Sequence, residues 1–294
     1  MLVSYISWAN NLKEMDDRVR MEEEVPFITL PQGSLAFQWN GPDTGNILLM
    51  IHGFSTPSFV FDRNIDDLIN AGYRILRFDH FGRGFSDRPN TLYDQDFYDR
   101  EILDLLEALE IKDPIDLLGF SLGGGVATTF AARHSERIKK LILVAPIGMS
   151  LPRYRLTHFL SLPGLGGWIC AFPIRKKLIS NFRKAAKKGY VSNQMKLLFE
   201  RQFNYRGTTD ALLSTLRHFP MGQLGEEYDT IGSHSIPTCI LWGTNDIVVP
   251  YSLHKDVLEH LPGAKFESIE DGGHGIPYTH SAEINEILID FLSD

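Results

Sequence analysis

Seven short apolar runs, mostly β-branched or leucine-rich, punctuate the chain: Leu35–Trp39, Ile47–Ile51, Tyr73–Phe78, Ile115–Leu118, Leu141–Ala145, Thr238–Trp242 and Lys265–Ile269. Three of them close on Gly or Asp, and most lack strict alternation of apolar and polar positions, which marks strands buried on both faces. Between several of them the apolar spacing changes to three and four. Ile102, Leu105, Leu106 and Leu109 make one helical stripe, and Ile284, Ile287, Leu288 and Phe291 another, with Ser281 placed to cap it. Short strands alternating with helices predict a doubly wound, mostly parallel α/β sheet covered on both faces.

The alternation stops once. From about 148 to 233 no strand pattern occurs, only helical segments broken by Pro and Gly, as in LPGLGGW at 162–168 and FPMGQLG at 219–225. A segment that long must carry its own structure. The expected organisation is a core formed by residues 1–147 and 234–294, with a helical cap, 148–233, inserted between two sheet strands.

Composition agrees with a globular chain: 294 residues, 43% hydrophobic and 22% charged. No apolar run is longer than Ile47–Ile51, which is strand-sized and far short of a membrane span. The first residues, MLVSYISWANNLKEMDDR, lack a basic region and a small-residue cleavage site; they read as an amphipathic lead-in helix and not as a secretory signal. Two cysteines, Cys170 and Cys239, are too few for a disulfide framework, so a reducing, cytoplasmic setting is expected.

Gly-Phe-Ser occurs three times, at Ser55, Ser86 and Ser121. In a parallel sheet, ligands sit beyond the carboxyl ends of the strands, so a reactive side chain should follow a strand directly. Only Ser121 does, between the strand-like IDLLGF and the small-residue helix LGGGVATTFAARH. A serine on so sharp a turn needs small residues two before and two after it, and Gly119 and Gly123 stand there. Ser55 runs into Thr56-Pro57 and Ser86 into Asp87-Arg88-Pro89, which is loop chemistry.

A serine hydroxyl needs a histidine base oriented by a carboxylate. On this architecture the order should be Ser, acid, His. Asp246 lies just past the strand ending in LWG, and His274, in GGHG, just past the strand ending in FESI, so all three side chains leave one edge of the sheet. His254, His260 and His280 fall in or beside helical patterns. Asp271 is too near His274 in sequence to reach its far nitrogen. Asp79 reads as a carboxylate holding the Gly82–Gly84 turn.

HGFS at 52–55, DHFGRGFSD at 79–87, GFSLGG at 119–124, GTNDIVVP at 243–250 and GGHG at 272–275 together resemble the successive signature segments of the α/β-hydrolase superfamily, from about Pro26 to the end of the chain. The resemblance implies eight strands, no cofactor and no metal. It also implies that His52 and Gly53 shape the turn beside the nucleophile, and that the backbone N–H groups of Phe54 and Leu122 form the oxyanion hole. A serine at position 121, where dehalogenase-like and epoxide-hydrolase-like members carry a carboxylate, points to a capped serine carboxylesterase similar to monoacylglycerol lipases, acting on a medium or long acyl chain. Two alternatives stay open: a hydrolase of carbon–carbon bonds in aromatic meta-cleavage products, and a catalytically weak ligand-binding member of the fold. Against the former, the Gly-Pro-Gly run usual after the His-Gly pair of that group is replaced by Ser55-Thr56-Pro57-Ser58. The triple glycine Gly123–Gly125 also resembles cofactor-free perhydrolases.

Charge is unevenly spread. Residues 151–220 hold 13 Lys and Arg against 2 Asp and Glu, a balance of +11, leaving 16 against 35, or −19, elsewhere. On a helix over Lys176–Lys188, Leu178, Ile179, Phe182, Ala185 and Ala186 share one side and Lys176, Lys177, Arg183, Lys184, Lys187 and Lys188 the other. With the apolar stretch FLSLPGLGGWICAFPI just upstream, this pattern fits peripheral contact with an anionic membrane. It equally fits a helix whose apolar side packs on its own protein. The negative total charge and the absence of an aromatic platform argue against nucleic-acid binding.

Overall fold

The structure, a computed structural model, describes residues 2–150, 160, 162 and 164–293. Eight strands form its centre: β1 (Phe27–Leu30), β2 (Gly33–Asn40), β3 (Asn46–Ile51), β4 (Tyr73–Phe78), β5 (Ile115–Phe120), β6 (Ile138–Val144), β7 (Thr238–Gly243) and β8 (Lys265–Ile269). Their order in space is β1-β2-β4-β3-β5-β6-β7-β8, with β2 antiparallel to both its neighbours and β4 through β8 parallel. The sheet is doubly wound and mostly parallel, as expected. β5 and β7 are buried at every position, which is why their sequences read as continuous apolar runs.

The helices, in chain order, are α1 (Leu2–Asn10), α2 (Asp17–Glu22), α3 (Ile65–Asn70), α4 (Gln95–Ala108), α5 (Leu122–Arg133), α6 (Leu165–Ile169), α7 (Arg175–Lys187), α8 (Asn193–Arg201), α9 (Thr208–His218), α10 (Gly225–Ser233), α11 (His254–His260), α12 (Ile276–Thr279) and α13 (Ser281–Ser293). Asp94 caps α4 by accepting from the Phe97 N–H, and Ile102, Leu105 and Leu106 are buried as the stripe predicts. Ser281 is the first residue of α13 and not its cap. One apolar cluster joins α4, α5 and α10 to one face of the sheet; a second joins α3 and α13 to the other.

Every element described between β6 and β7 is helical, apart from one bridge between Lys13 and Tyr205. Residues 151–159, 161 and 163 of the expected cap lie outside the described residues, and with them Phe159, Ser161 and Pro163 of its apolar stretch. The helices have a core of their own, with Phe182 stacked on Phe199 at 4.2 Å and Phe203, Met195 and Leu212 beside them. Leu178, Ile179, Ala185 and Ala186 pack against that core, so the apolar side of α7 is occupied by the protein itself. α1 is tied to the same segment. Tyr5 donates to Asp210 at 2.7 Å, and Trp8 lies 5.7 Å from Phe172.

Candidate active site

Ser121 sits between the last residue of β5 and the first of α5, with φ 58° and ψ −116°. A non-glycine residue reaches such a conformation only when its surroundings over-determine it. Its carbonyl accepts from the N–H groups of Gly124, Gly125 and Ile147, and its N–H donates to Val144. The neighbouring glycines make the turn sterically feasible. A Cβ on Gly119 would lie 2.2 Å from the Gly123 carbonyl oxygen, and one on Gly123 would lie 2.2 Å from that of Ile51. The spacing read from the sequence therefore reports a real contact of α5 with β3 and β5.

The chain from this serine outward is continuous. Ser121 Oγ is 2.8 Å from His274 Nε2, and His274 Nδ1 is 2.7 Å from Asp246 Oδ2. Asp246 is buried, and its other oxygen accepts from the N–H groups of Val248 and Val249 at 2.8 and 3.0 Å. Four acceptor positions on one carboxylate are thus partly filled by the backbone, which leaves Oδ2 aimed at the imidazole. The Phe120 ring lies 5.0 Å from that of His274. Of the two glycines flanking His274, only Gly275 is required by packing, since its Cβ would strike Tyr278; beside Gly273 there is open space.

The turn after β3 lies against the serine. A Cβ on Gly53 would be 3.2 Å from Ser121 Cβ. His52 is fully buried and accepts from the His80 N–H at Nε2, so its proton is on Nδ1, which donates to the Gly53 carbonyl at 2.8 Å. Burial holds this imidazole well below its usual pKa, with His80 and Arg83 acting in the same direction, so it is neutral. The Gly53 carbonyl and the Phe54 N–H belong to one peptide plane, so His52 orients the latter through the former. Leu122 opens α5, so its N–H has no acceptor within the helix. Phe54 lies on this turn, and Leu122 follows the serine directly.

The rival side chains do other work. Asp79 accepts from the Ser58 N–H and hydroxyl and from the Phe85 N–H, as its turn-holding role predicts. Ser86 accepts from the Ala36 N–H and donates to the Asp79 carbonyl. Asp271 meets Asn245 and His260 meets Asp229. A cleft of about 760 Å³ lies elsewhere, lined by Arg88, Tyr93, Asp210 and Arg217, and holds none of the three aligned residues. Among the described residues no group of three His, Cys, Asp or Glu is arranged to hold a metal.

Sequence reasoning passed over one group. His80, Arg83 and Glu101 are all fully buried behind the Phe54 turn. Glu101 accepts from the Phe81 N–H at 2.6 Å and lies 2.5 Å from His80 Nδ1. Burial pushes its carboxyl up to about 8 and holds His80 well below its usual value, so both favour their uncharged forms. A signal was there: Glu101 falls on the buried stripe of α4, beside Tyr98, Ile102 and Leu105.

Strand order, inserted helices and a strained serine at the end of β5 together decide the fold. The chain has the α/β-hydrolase fold. The family profile described as alpha/beta hydrolase fold matches residues 46–167. The chain is 29% identical over 283 residues to a 2-hydroxy-6-oxononadienedioate/2-hydroxy-6-oxononatrienedioate hydrolase of Klebsiella pneumoniae, covering 91% of this chain and 95% of that protein. It is 27% identical over 290 residues to a putative non-heme chloroperoxidase of Synechocystis, covering 91% and 100%. Among solved structures, a bromoperoxidase from Bacillus anthracis superposes with a TM-score of 0.77 at 24% identity, covering 92% of this chain and all of that one.

Proposed function

We propose that this α/β-hydrolase is a serine hydrolase that cleaves carboxylic esters through an acyl-enzyme. The observation that carries this reading is the unbroken Ser121–His274–Asp246 chain, with its oxygen held at the tip of the strained turn. In this reading His274 Nε2 takes the hydroxyl proton as Ser121 Oγ attacks the carbonyl carbon. Asp246 holds the imidazole in the required tautomer and steadies the imidazolium. The oxyanion forms against the N–H groups of Phe54 and Leu122, each typically worth about 3 kcal/mol in the transition state. The alcohol leaves with the proton from His274, and water, activated by the same imidazole, releases the acid. The helices between β6 and β7 form the cap that selects the acyl group, and a medium or long chain suits the apolar side chains they carry.

A second reading is carbon–carbon hydrolysis of a dienoate, favoured by the name of the Klebsiella relative. A chain-length series of nitrophenyl esters run beside a meta-cleavage dienoate separates the two. The ester reading expects turnover that rises with acyl length; turnover of the dienoate alone overturns it. Membrane contact is narrower than the sequence pattern proposes, because the apolar side of α7 is taken. Lys176, Lys177, Lys184, Lys187 and Lys188 meet no carboxylate within 4.0 Å among the described residues and remain for a purely electrostatic contact with anionic lipid. Pelleting with anionic vesicles at low salt and not at high salt supports it; no pelleting at either ends it.

A further inference from the structure

Arg83, between the two glycines of DHFGRGFSD, is fully buried. Its Nε donates to the Phe54 carbonyl at 3.1 Å, Nη1 to the Phe81 carbonyl at 3.1 Å and Nη2 to Thr215 Oγ1 at 2.8 Å. The guanidinium carbon lies 5.6 to 5.9 Å from the ring centres of Phe54, Tyr93 and Tyr98. No carboxylate comes within 4.0 Å of it among the described residues. Glu101 is linked to it through Phe81, whose N–H it binds while Arg83 binds the C=O of the next peptide group. Removing a guanidinium from water without a carboxylate costs several kcal/mol, and an apolar side chain would fill an aromatic box more cheaply. The cation therefore sits at a cost, one residue from the peptide that offers its N–H to the reacting oxygen.

We propose that Arg83 is a positioning residue for the oxyanion turn: it clamps the Phe54 carbonyl, ties it through Thr215 to α9 of the helical segment, and sets a fixed positive charge behind the place where the oxyanion forms. The inference rests on the Ser121 hydrolase reading. Two consequences follow from the contacts. The Phe54 turn is held from both sides, by His52 at the Gly53 carbonyl and by Arg83 at the next one, so its N–H has little freedom to swing away. And because Thr215 also meets the Tyr98 hydroxyl at 2.8 Å, a shift of α9 is felt at the turn through a chain of buried polar contacts.

The test uses the full-length protein and a fluorophosphonate, whose phosphorus is attacked by Ser121 Oγ as fluoride leaves and the hydroxyl proton passes to His274. The final extent of labelling counts folded sites, whereas its rate reports the stabilisation of charge on the phosphoryl oxygen. Arg83→Met should reach the same final extent at a rate at least tenfold lower. A trifluoromethyl ketone inhibitor, which places an oxyanion in the same spot, should weaken by the same factor while KM for a short ester stays put. Arg83→Lys, which keeps the charge, should recover part of the rate. If Arg83→Met labels fully at a rate within twofold of the parent, the proposal is overturned. Should that variant fail to fold, Arg83→Lys and Thr215→Val decide: full labelling at about a threefold slower rate supports the proposal, and an unchanged rate in both overturns it. An unmodified protein that never labels at Ser121 overturns the hydrolase reading itself, and the role of Arg83 with it.

Discussion

Glu101→Gln isolates the buried His80–Glu101 pair without breaking it, because a carboxamide can still accept from the Phe81 N–H and donate to His80 Nδ1. Burial raises the Glu101 carboxyl from 4.5 to about 8, so the folded protein holds a proton there that the unfolded chain has already lost. The native state binds more protons in that window, and stability therefore falls as pH rises through it. His80 is lowered from 6.5 and works in the opposite direction below that value; above it the ring is neutral in both states. Between pH 6.5 and 8 only the Glu101 contribution remains, at up to about 1.4 kcal/mol per pH unit, or about 2 kcal/mol over the window. Glutamine does not titrate. Guanidinium unfolding of both proteins at half-unit steps from pH 6.5 to 8 should show the parent losing about 2 kcal/mol relative to the variant, with other titrations cancelling in the difference. Parallel curves would mean that Glu101 is ionised in the fold, and the reasoning from its burial would fail.

Asp246→Asn should lower kcat by about three to four orders of magnitude with KM little changed, because an amide facing His274 Nδ1 fixes the wrong tautomer; steady-state kinetics on a short ester measures it. Gly123→Ala should cost about 3 kcal/mol or more, since its Cβ would press on the Ile51 and His52 carbonyl oxygens, which are backbone and cannot swing aside. Gly273→Ala, facing open space, should stay within about 0.5 kcal/mol of the parent in the same unfolding assay. Ser121→Gly should be more stable than Ser121→Ala by about 1 kcal/mol: both lose the bond to His274, and only glycine relaxes at φ 58°.

The strands were legible where both faces are buried, and their edges blurred where one face is not. β6 begins three residues before its apolar run because Lys139 and Lys140 stand at its start, where the Lys140 ammonium reaches the Phe291 and Leu292 carbonyls. β1 escaped notice because its four residues pair only with β2 and bury a single side chain, Leu30. Ser121, Asp246 and His274 could be placed together because parallel strands put the carboxyl ends of β5, β7 and β8 on one edge. The cluster of His80, Arg83 and Glu101 could not. Charged residues read as solvent-facing from sequence, and against that stood only the position of Glu101 on the apolar stripe of α4. The basic helix posed the opposite problem, for its two-sided pattern was correct and only the packing reveals what its apolar side touches.

The account turns on Ser121 taking an acyl group from substrate. Quenching the protein in acid within milliseconds of mixing with a nitrophenyl ester, and mapping its peptides by mass, reads that event directly. The acyl mass should appear on the peptide containing Ser121 and vanish in Ser121→Ala together with turnover. Ester turnover that survives in Ser121→Ala, or an acyl group carried on another residue, would contradict it.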